Sequence, residues 1–227
     1  RDFYLADTPQ FKNLRNAYLK YLENVSTALG FVTPAESARS IFELEKSMAK
    51  IHWTRVESRN RDKTYNKFKP EDFKTRSPDF AWEQFAKGTG LAKLTDVIVY
   101  QPSYIEQFGP IFKGTEVALW RQYMGVKLFN TLAPRLSREY VKLHFDFYGK
   151  ILSGTPELRP RWKRALNEVE KQVGEILGKL YVERHFKHEA KSRMDTLVEN
   201  LVAAFDDGID SLEWMSETTK VQAKDKL

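Results

Sequence analysis

Apolar residues recur at intervals of three and four along almost every segment of this chain, and that spacing constrains its fold more than any other feature. Phe11, Leu14, Tyr18, Leu22, Val25 and Leu29 line one face of a helix that Gly30 closes. Thr33-Pro34-Ala35-Glu36 reads as a capping box with proline at the first helical position. The helix it opens carries Ala38, Ile41, Phe42, Glu45, Met48 and Ala49 and is predicted to run to about Arg59. Ser77-Pro78 is predicted to cap a shorter helix through Lys87, broken by Gly88-Thr89-Gly90. Further helices are predicted over 115–132 and 137–152, followed by a turn from Gly154 to Pro160.

Two long stripes follow: Trp162, Leu166, Val169, Val173, Ile176, Leu177 and Leu180, then Met194, Leu197, Val198, Leu201, Val202 and Phe205. They are expected to pack on each other as antiparallel neighbours, with Leu201 buried in the seam. Ser216 opens a last helix that meets no stop signal by Leu227. Val97 to Tyr100 is the one strand-like run, and Pro102 ends it. The expected fold class is all-α, a multi-helix lobe with at most one small β element, read as a hairpin.

Composition narrows the function. There are 37 basic and 31 acidic residues, a net charge of +6, with both signs interleaved along the chain. That pattern describes an ordinary basic protein better than a polyanion binder. The absence of cysteine excludes disulfides, thiolate zinc sites, iron–sulfur clusters and cysteine nucleophiles. No apolar run is long enough to span a bilayer, and no signal peptide is visible. A first residue that is not methionine and a final helix without a stop are both read as marks of a processed chain or a fragment.

The inventory of chemically active groups is thin. His185 and His188 stand three apart and would share a face if their segment were helical, but no third metal ligand accompanies them. His188-Glu189 begins like the HExxH of zinc proteases, yet Ser192 occupies the position of the second histidine. Gly88-Thr89-Gly90 lacks the last glycine of a dinucleotide fingerprint, since Lys93 replaces it. Asp206, Asp207 and Asp210 lack calcium-loop spacing and read as solvation of a helix end.

Two basic clusters have interleaved aromatics. Arg55, Arg59 and Lys63 stand at four-residue spacing beside Trp53, Arg61 and Tyr65; Arg159, Arg161, Lys163 and Arg164 surround Trp162. Such clusters suit single-stranded nucleic acid. The plainer reading pairs the arginines with Glu57, Asp62 and Glu157 and packs the aromatics inside, and the acids mixed into the first cluster favour it.

A series of short blocks carries a stronger message. Arg1-Asp2-Phe3-Tyr4-Leu5 resembles the RDYY segment of the neprilysin and endothelin-converting-enzyme family of zinc metallopeptidases. Arg61 to Asn66 resembles that family's segment ending in YN, and Val99-Tyr100-Gln101-Pro102-Ser103-Tyr104 its strand followed by a tyrosine. Phe145 to Lys150, Leu152-Ser153-Gly154 and Arg161-Trp162-Lys163 match next. Gly178-Lys179-Leu180-Tyr181-Val182 with Phe186 is similar to its G-x-LYV-x3-F block. Trp214-Met215, Thr219-Lys220, Ala223 and Lys226-Leu227 complete the order.

The resemblance implies a two-lobed, mostly helical gluzincin peptidase with a chamber between its lobes. In that family HExxH and a downstream ExxxD supply two histidines and a glutamate to zinc, the HExxH glutamate polarises water, and a later histidine stabilises the oxyanion. None of those motifs occurs here. The chain is therefore expected to be the non-catalytic helical lobe, 1–215 with its N-terminal part missing, and 216–227 to begin the helix leading toward the catalytic lobe. No catalytic, cofactor-binding or metal residue is assigned to it, and zinc belongs to the full-length enzyme. Expected partners are the catalytic lobe and peptide substrates, with no nucleic acid and no membrane span, in an extracytoplasmic (periplasmic or secreted) setting. Ala165 stands where many animal members have cysteine after the RWK/R run, which implies a disulfide-free bacterial relative. Two rival readings are a stand-alone helical interaction module and a basic nucleic-acid-binding domain.

Overall fold

Thr8 starts the first long helix through its side chain. Its hydroxyl accepts from the Phe11 amide at 3.4 Å, and Pro9, with no amide hydrogen to leave unpaired, takes the first helical position of α2 (Pro9–Ala28) after a short α1 (Asp2–Leu5). Gly30 ends α2 with φ +73°, which lets the Gly30 amide reach the Thr27 carbonyl and the Phe31 amide the Ser26 carbonyl, each at 3.0 Å. The computed structural model describes all of residues 1–227 and divides into two units, 1–158 and 159–227.

In the first unit α2 lies against α3 (Pro34–Ile51), and α8 (Val117–Leu132) closes the core with a turn at Phe147. Tyr18, Tyr21, Leu22 and Val25 meet Ala38, Ile41, Phe42, Val126, Phe129 and Phe147, all buried. Between α3 and α8 run α4 (Arg61–Thr64), β1 (Asn66–Phe68), α5 (Asp72–Arg76), α6 (Trp82–Gly88), β2 (Val97–Val99) and α7 (Pro102–Gly114). The two strands pair antiparallel, Asn66 opposite Val99 and Phe68 opposite Val97. Phe68, Phe73 and Val99 form a second small core, roofed by Trp82 stacked on Phe73 at 3.9 Å. After α8 come α9 (Arg138–His144) and a π-helical turn over Phe145–Leu152. Gly149 is required in that turn, because a Cβ there would lie 2.2 Å from the Phe145 ring.

The second unit holds α10 (Arg161–His185), α11 (His188–Asp210) and α12 (Glu217–Lys226). Ser216 caps α12 as its sequence predicts, accepting from the Thr219 amide at 3.3 Å. Lys224 clips α12 to α11 through Asp206 at 2.9 Å and Asp210 at 2.7 Å, so these aspartates join two helices rather than merely solvate one end. α10 is kinked at Val173, where the backbone leaves helical angles beside Gly174.

The all-α expectation holds, but several details differ. Ser77 ends α5 instead of capping a helix through Lys87, and α6 begins only at Trp82. α3 stops at Ile51, not Arg59, because Thr54 and Glu57 form a capping box of their own. The Glu57 amide donates to the Thr54 hydroxyl at 3.2 Å while the Thr54 amide donates to the Glu57 carboxylate at 2.8 Å. Thr33, by contrast, opens α3 without a side-chain cap. The sheet is not a hairpin, since α5 and α6 separate its strands, and Pro102 opens a helix as well as closing a strand. The stripes of α10 and α11 do not form a buried seam. Those helices scarcely touch each other, and no side chain in 159–227 is buried. Helical spacing states that a face is apolar and is silent about what covers it.

One carboxylate binds the first unit together. Glu45, 4% exposed, accepts from Tyr4 at 3.1 Å, from Tyr18 at 3.0 Å and from the Lys127 ammonium. Glu45→Ala is expected to cost about 3–5 kcal/mol in urea unfolding, since it strands three donors, and Tyr4→Phe only about 1 kcal/mol. Burial, reinforced by the Glu45 charge at Tyr4 and Tyr18, raises Tyr4, Tyr18 and Tyr21 well above the ordinary tyrosine value of 10.0. The folded chain therefore keeps protons that the unfolded chain releases above that value. Stability is fully present below pH 10 and should fall as pH rises beyond it, measured as a dropping denaturation midpoint.

Candidate functional site

The histidines do not assemble a metal centre. α10 ends at His185, and the extended backbone of Phe186 and Lys187 separates it from His188 at the start of α11, so the pair shares no helix face. Both side chains are exposed, Glu189 pairs with Arg193 at 3.1 Å, and Ser192 stands where a second ligand would be needed. No group of three or more histidine, aspartate or glutamate side chains is placed to hold a metal ion. Gly88-Thr89-Gly90 is the end of α6, with Gly90 at φ +77° and the Thr89 hydroxyl donating to Phe85 O at 2.8 Å. His144 is half-buried and stacked on the Tyr148 ring, and desolvation lowers its pKa.

The basic clusters fare differently. Around Trp162 the ring is 65% exposed, with Lys163 over its face at 5.3 Å and Arg164 donating to the Arg159 carbonyl at 3.2 Å. The expected packing of this tryptophan into a core is not realised. The first cluster is split. Arg55 and Arg59 line an open concavity of about 450 Å³ together with Arg1, His52, Trp53 and Ser58. Arg61 and Tyr65 line a neighbouring hollow with Asp62, Thr64, Ile98 and Tyr100. Lys63 enters neither.

Gln101 ties together three residues that line the first concavity, His52, Trp53 and Ser58. Its carbonyl oxygen accepts from the Trp53 amide at 3.0 Å and faces His52 Nδ1 at 3.3 Å, so that nitrogen carries the proton. Its amide nitrogen donates to the Ser58 hydroxyl at 3.4 Å. Trp53 Nε1 donates to Ser103 at 2.7 Å, and the His52 ring stacks on Tyr104 at 4.2 Å. Arg1 reaches the carbonyls of Lys50 and His52 at the C-terminal end of α3, where the helix dipole favours a cation. Thr54, with its amide and hydroxyl both on Glu57, holds that carboxyl below the usual range, with Lys63 and Arg1 adding to the effect. Sequence spacing recovers Arg55 and Arg59 but not the adjacent His52, nor Arg1 and Gln101, which stand 51 and 49 residues from His52 along the chain. The Thr54-x-x-Glu57 box, which sets the turn carrying both arginines, was the available signal.

The other notable surface is apolar. Trp162, Leu166, Val169, Ile176 and Leu180 on α10, and Leu197, Leu201 and Phe205 on α11, are all exposed. Exposed apolar stripes of this kind mark interaction surfaces.

A sequence model for the N-terminal part of peptidase family M13 matches residues 1–227. The chain belongs to peptidase family M13. Human endothelin-converting enzyme 1 is 25% identical over 236 residues, which span 100% of this chain and 30% of that protein. Neprilysin-11 of Caenorhabditis elegans is 27% identical over 241 residues, 28% of its length. Among solved structures, the inhibitor complex of Mycobacterium tuberculosis zinc metalloprotease Zmp1 superposes with a TM-score of 0.83 at 33% identity, covering 98% of this chain and 34% of that one. PepO of Lactobacillus rhamnosis shares the fold, with a TM-score of 0.77 at 17% identity. The M13 chain described here thus spans about a third or less of its relatives.

Leu201, 54% exposed, gives a direct check on the open stripes of this M13 segment. In residues 1–227 alone, Leu201→Ala should shift urea-unfolding stability by less than about 0.5 kcal/mol, the range of surface substitutions.

Proposed function

We propose that residues 1–215 form the helical lobe of a two-lobed zinc metalloendopeptidase, walling its substrate chamber and limiting entry to peptides. Residues 216–227 begin the helix that leads toward the catalytic lobe. The observation that carries this reading is a family M13 match over the whole chain, in a segment that holds no metal-ligand group. The uncovered faces of α10 and α11 support it, because relatives about three times longer have the polypeptide to cover them. Zinc and the groups that act on the peptide bond come from HExxH and ExxxD in that remaining polypeptide. The contribution of this chain is geometric: it bounds a space in which a peptide is held away from bulk water. No helix here is long and apolar enough to cross a membrane, and the compartment implied by the family reading is extracytoplasmic.

The test separates the two parts. Residues 1–227 alone should hold no stoichiometric zinc and cleave no peptide, while the whole protein should show chelator-sensitive cleavage. Chelator-sensitive cleavage by residues 1–227 alone would overturn the reading. In the whole protein Leu201→Ala should cost about 2–5 kcal/mol, because its site would then be covered. A stand-alone interaction module would instead leave that substitution as mild in the longer chain as in this one.

A further inference from the structure

We propose that the concavity bounded by Arg1, Arg55 and Arg59 is a subsite for carboxylate side chains of an acidic peptide segment. Three arginines line one open space of about 450 Å³, where their like charges disfavour one another unless an anion enters. Arg55 and Arg59 are exposed and make no ion pair or side-chain hydrogen bond within the chain. Glu57 is held on Thr54, where its charge meets Arg1 and Lys63, and it forms no ion pair with Arg55 or Arg59. Arg1 spends part of its fork on the Lys50 and His52 carbonyls, which fixes the guanidinium at the rim. A guanidinium presents five donors in one plane, the geometry that a carboxylate accepts two at a time.

The surroundings favour a peptide over a nucleic acid. Trp53 is half-buried with its Nε1 on Ser103, and one face of the His52 ring is taken by Tyr104, which leaves little aromatic surface for stacking a base. Glu57 and Asp62, interleaved with the arginines, oppose a continuous run of phosphates. The hollow that begins at Arg61 is lined by Ile98, Tyr65 and Tyr100, whose exposed side chains suit an apolar residue next to the acidic one. The expected ligand is a short extended segment with one or two acidic side chains beside an aliphatic or aromatic one. Its use in selecting substrates rests on the chamber reading above, whereas the binding itself does not.

The experiment measures fluorescence anisotropy of a labelled Gly-Glu-Glu-Phe-Gly peptide and its Gly-Gln-Gln-Phe-Gly counterpart on residues 1–227. The acidic peptide should bind at least roughly tenfold tighter, and R55Q/R59Q should remove most of that difference. Both positions are exposed, so the denaturation midpoint of R55Q/R59Q should match the parent and exclude misfolding. R159Q/R161Q/R164Q, in the other basic cluster, should leave discrimination unchanged. Equal loss in both variants would reduce the effect to net charge and overturn the site. Tighter binding of a single-stranded oligonucleotide than of the acidic peptide at 150 mM salt, about the physiological ionic strength, would also overturn it. Loss of discrimination with peptidase activity intact in the whole protein defeats the subsite alone. Discrimination without peptidase activity there defeats the chamber reading alone.

Discussion

The first unit is organised by a negative charge in its core. Removing a carboxylate from water costs several kcal/mol, and only well-placed donors offset that cost. Glu45 finds them on three other helices: Tyr4 on α1, Tyr18 on α2 and Lys127 on α8. A rotation of α3 by one residue would carry Glu45 off this set and leave all four groups unmatched, so the arrangement fixes which face of α3 points inward. The polar chain extends outward, with Tyr21 donating to Asn130 and Asn130 to Tyr148 at 3.2 Å. Aromatic rings fill the space between, Tyr21 stacked on Phe147 at 5.0 Å and Tyr18 against Phe147 at 5.2 Å. An apolar replacement of the same shape would pack as well, but it would not select one rotation of α3 so sharply.

Most of the helical architecture was legible because three-and-four spacing is a local property. The failures share a cause. Thr33-x-x-Glu36 and Thr54-x-x-Glu57 are the same pattern, yet only the second closes into reciprocal hydrogen bonds; Thr33, at φ −123° and ψ 77°, is off the extended backbone usual at a helix N-cap. Pro102 reads equally as the end of a strand and the first residue of a helix, and here it is both. Phe68 and Val97 face each other across a sheet although 28 residues separate them, a pairing that no local pattern announces.

The concavity was half legible. Arg55 and Arg59 share a helical spacing, and they do lie together, but not for that reason: α3 has already ended, Arg55 stands in a turn, and a short 3-10 helix over Glu57–Arg59 brings Arg59 beside it. Lys63, which continues the same spacing, is excluded by the intervening break at Asn60. On α10 and α11 the periodicity was read correctly and its partner was not, since a stripe such as Leu197 to Phe205 carries no record of the surface it meets. The second unit accordingly has regular helices without a core, its order drawn from hydrogen bonds along each helix and from the Lys224 clip.

Gln101 has a consequence for the order in which the first unit assembles. A single amide side chain receives the Trp53 amide, faces His52 and donates to Ser58, across separations of 43 to 49 residues. Such contacts require a long loop to close before any of them is rewarded, so they belong to the late, slow part of folding. The segment 52–58 leaves α3 without helical hydrogen bonds of its own at His52 and Trp53. Exchange of the Trp53 amide with solvent therefore clocks the docking of α7, not the formation of α3, and the arginine-lined concavity comes into being only when that docking is complete.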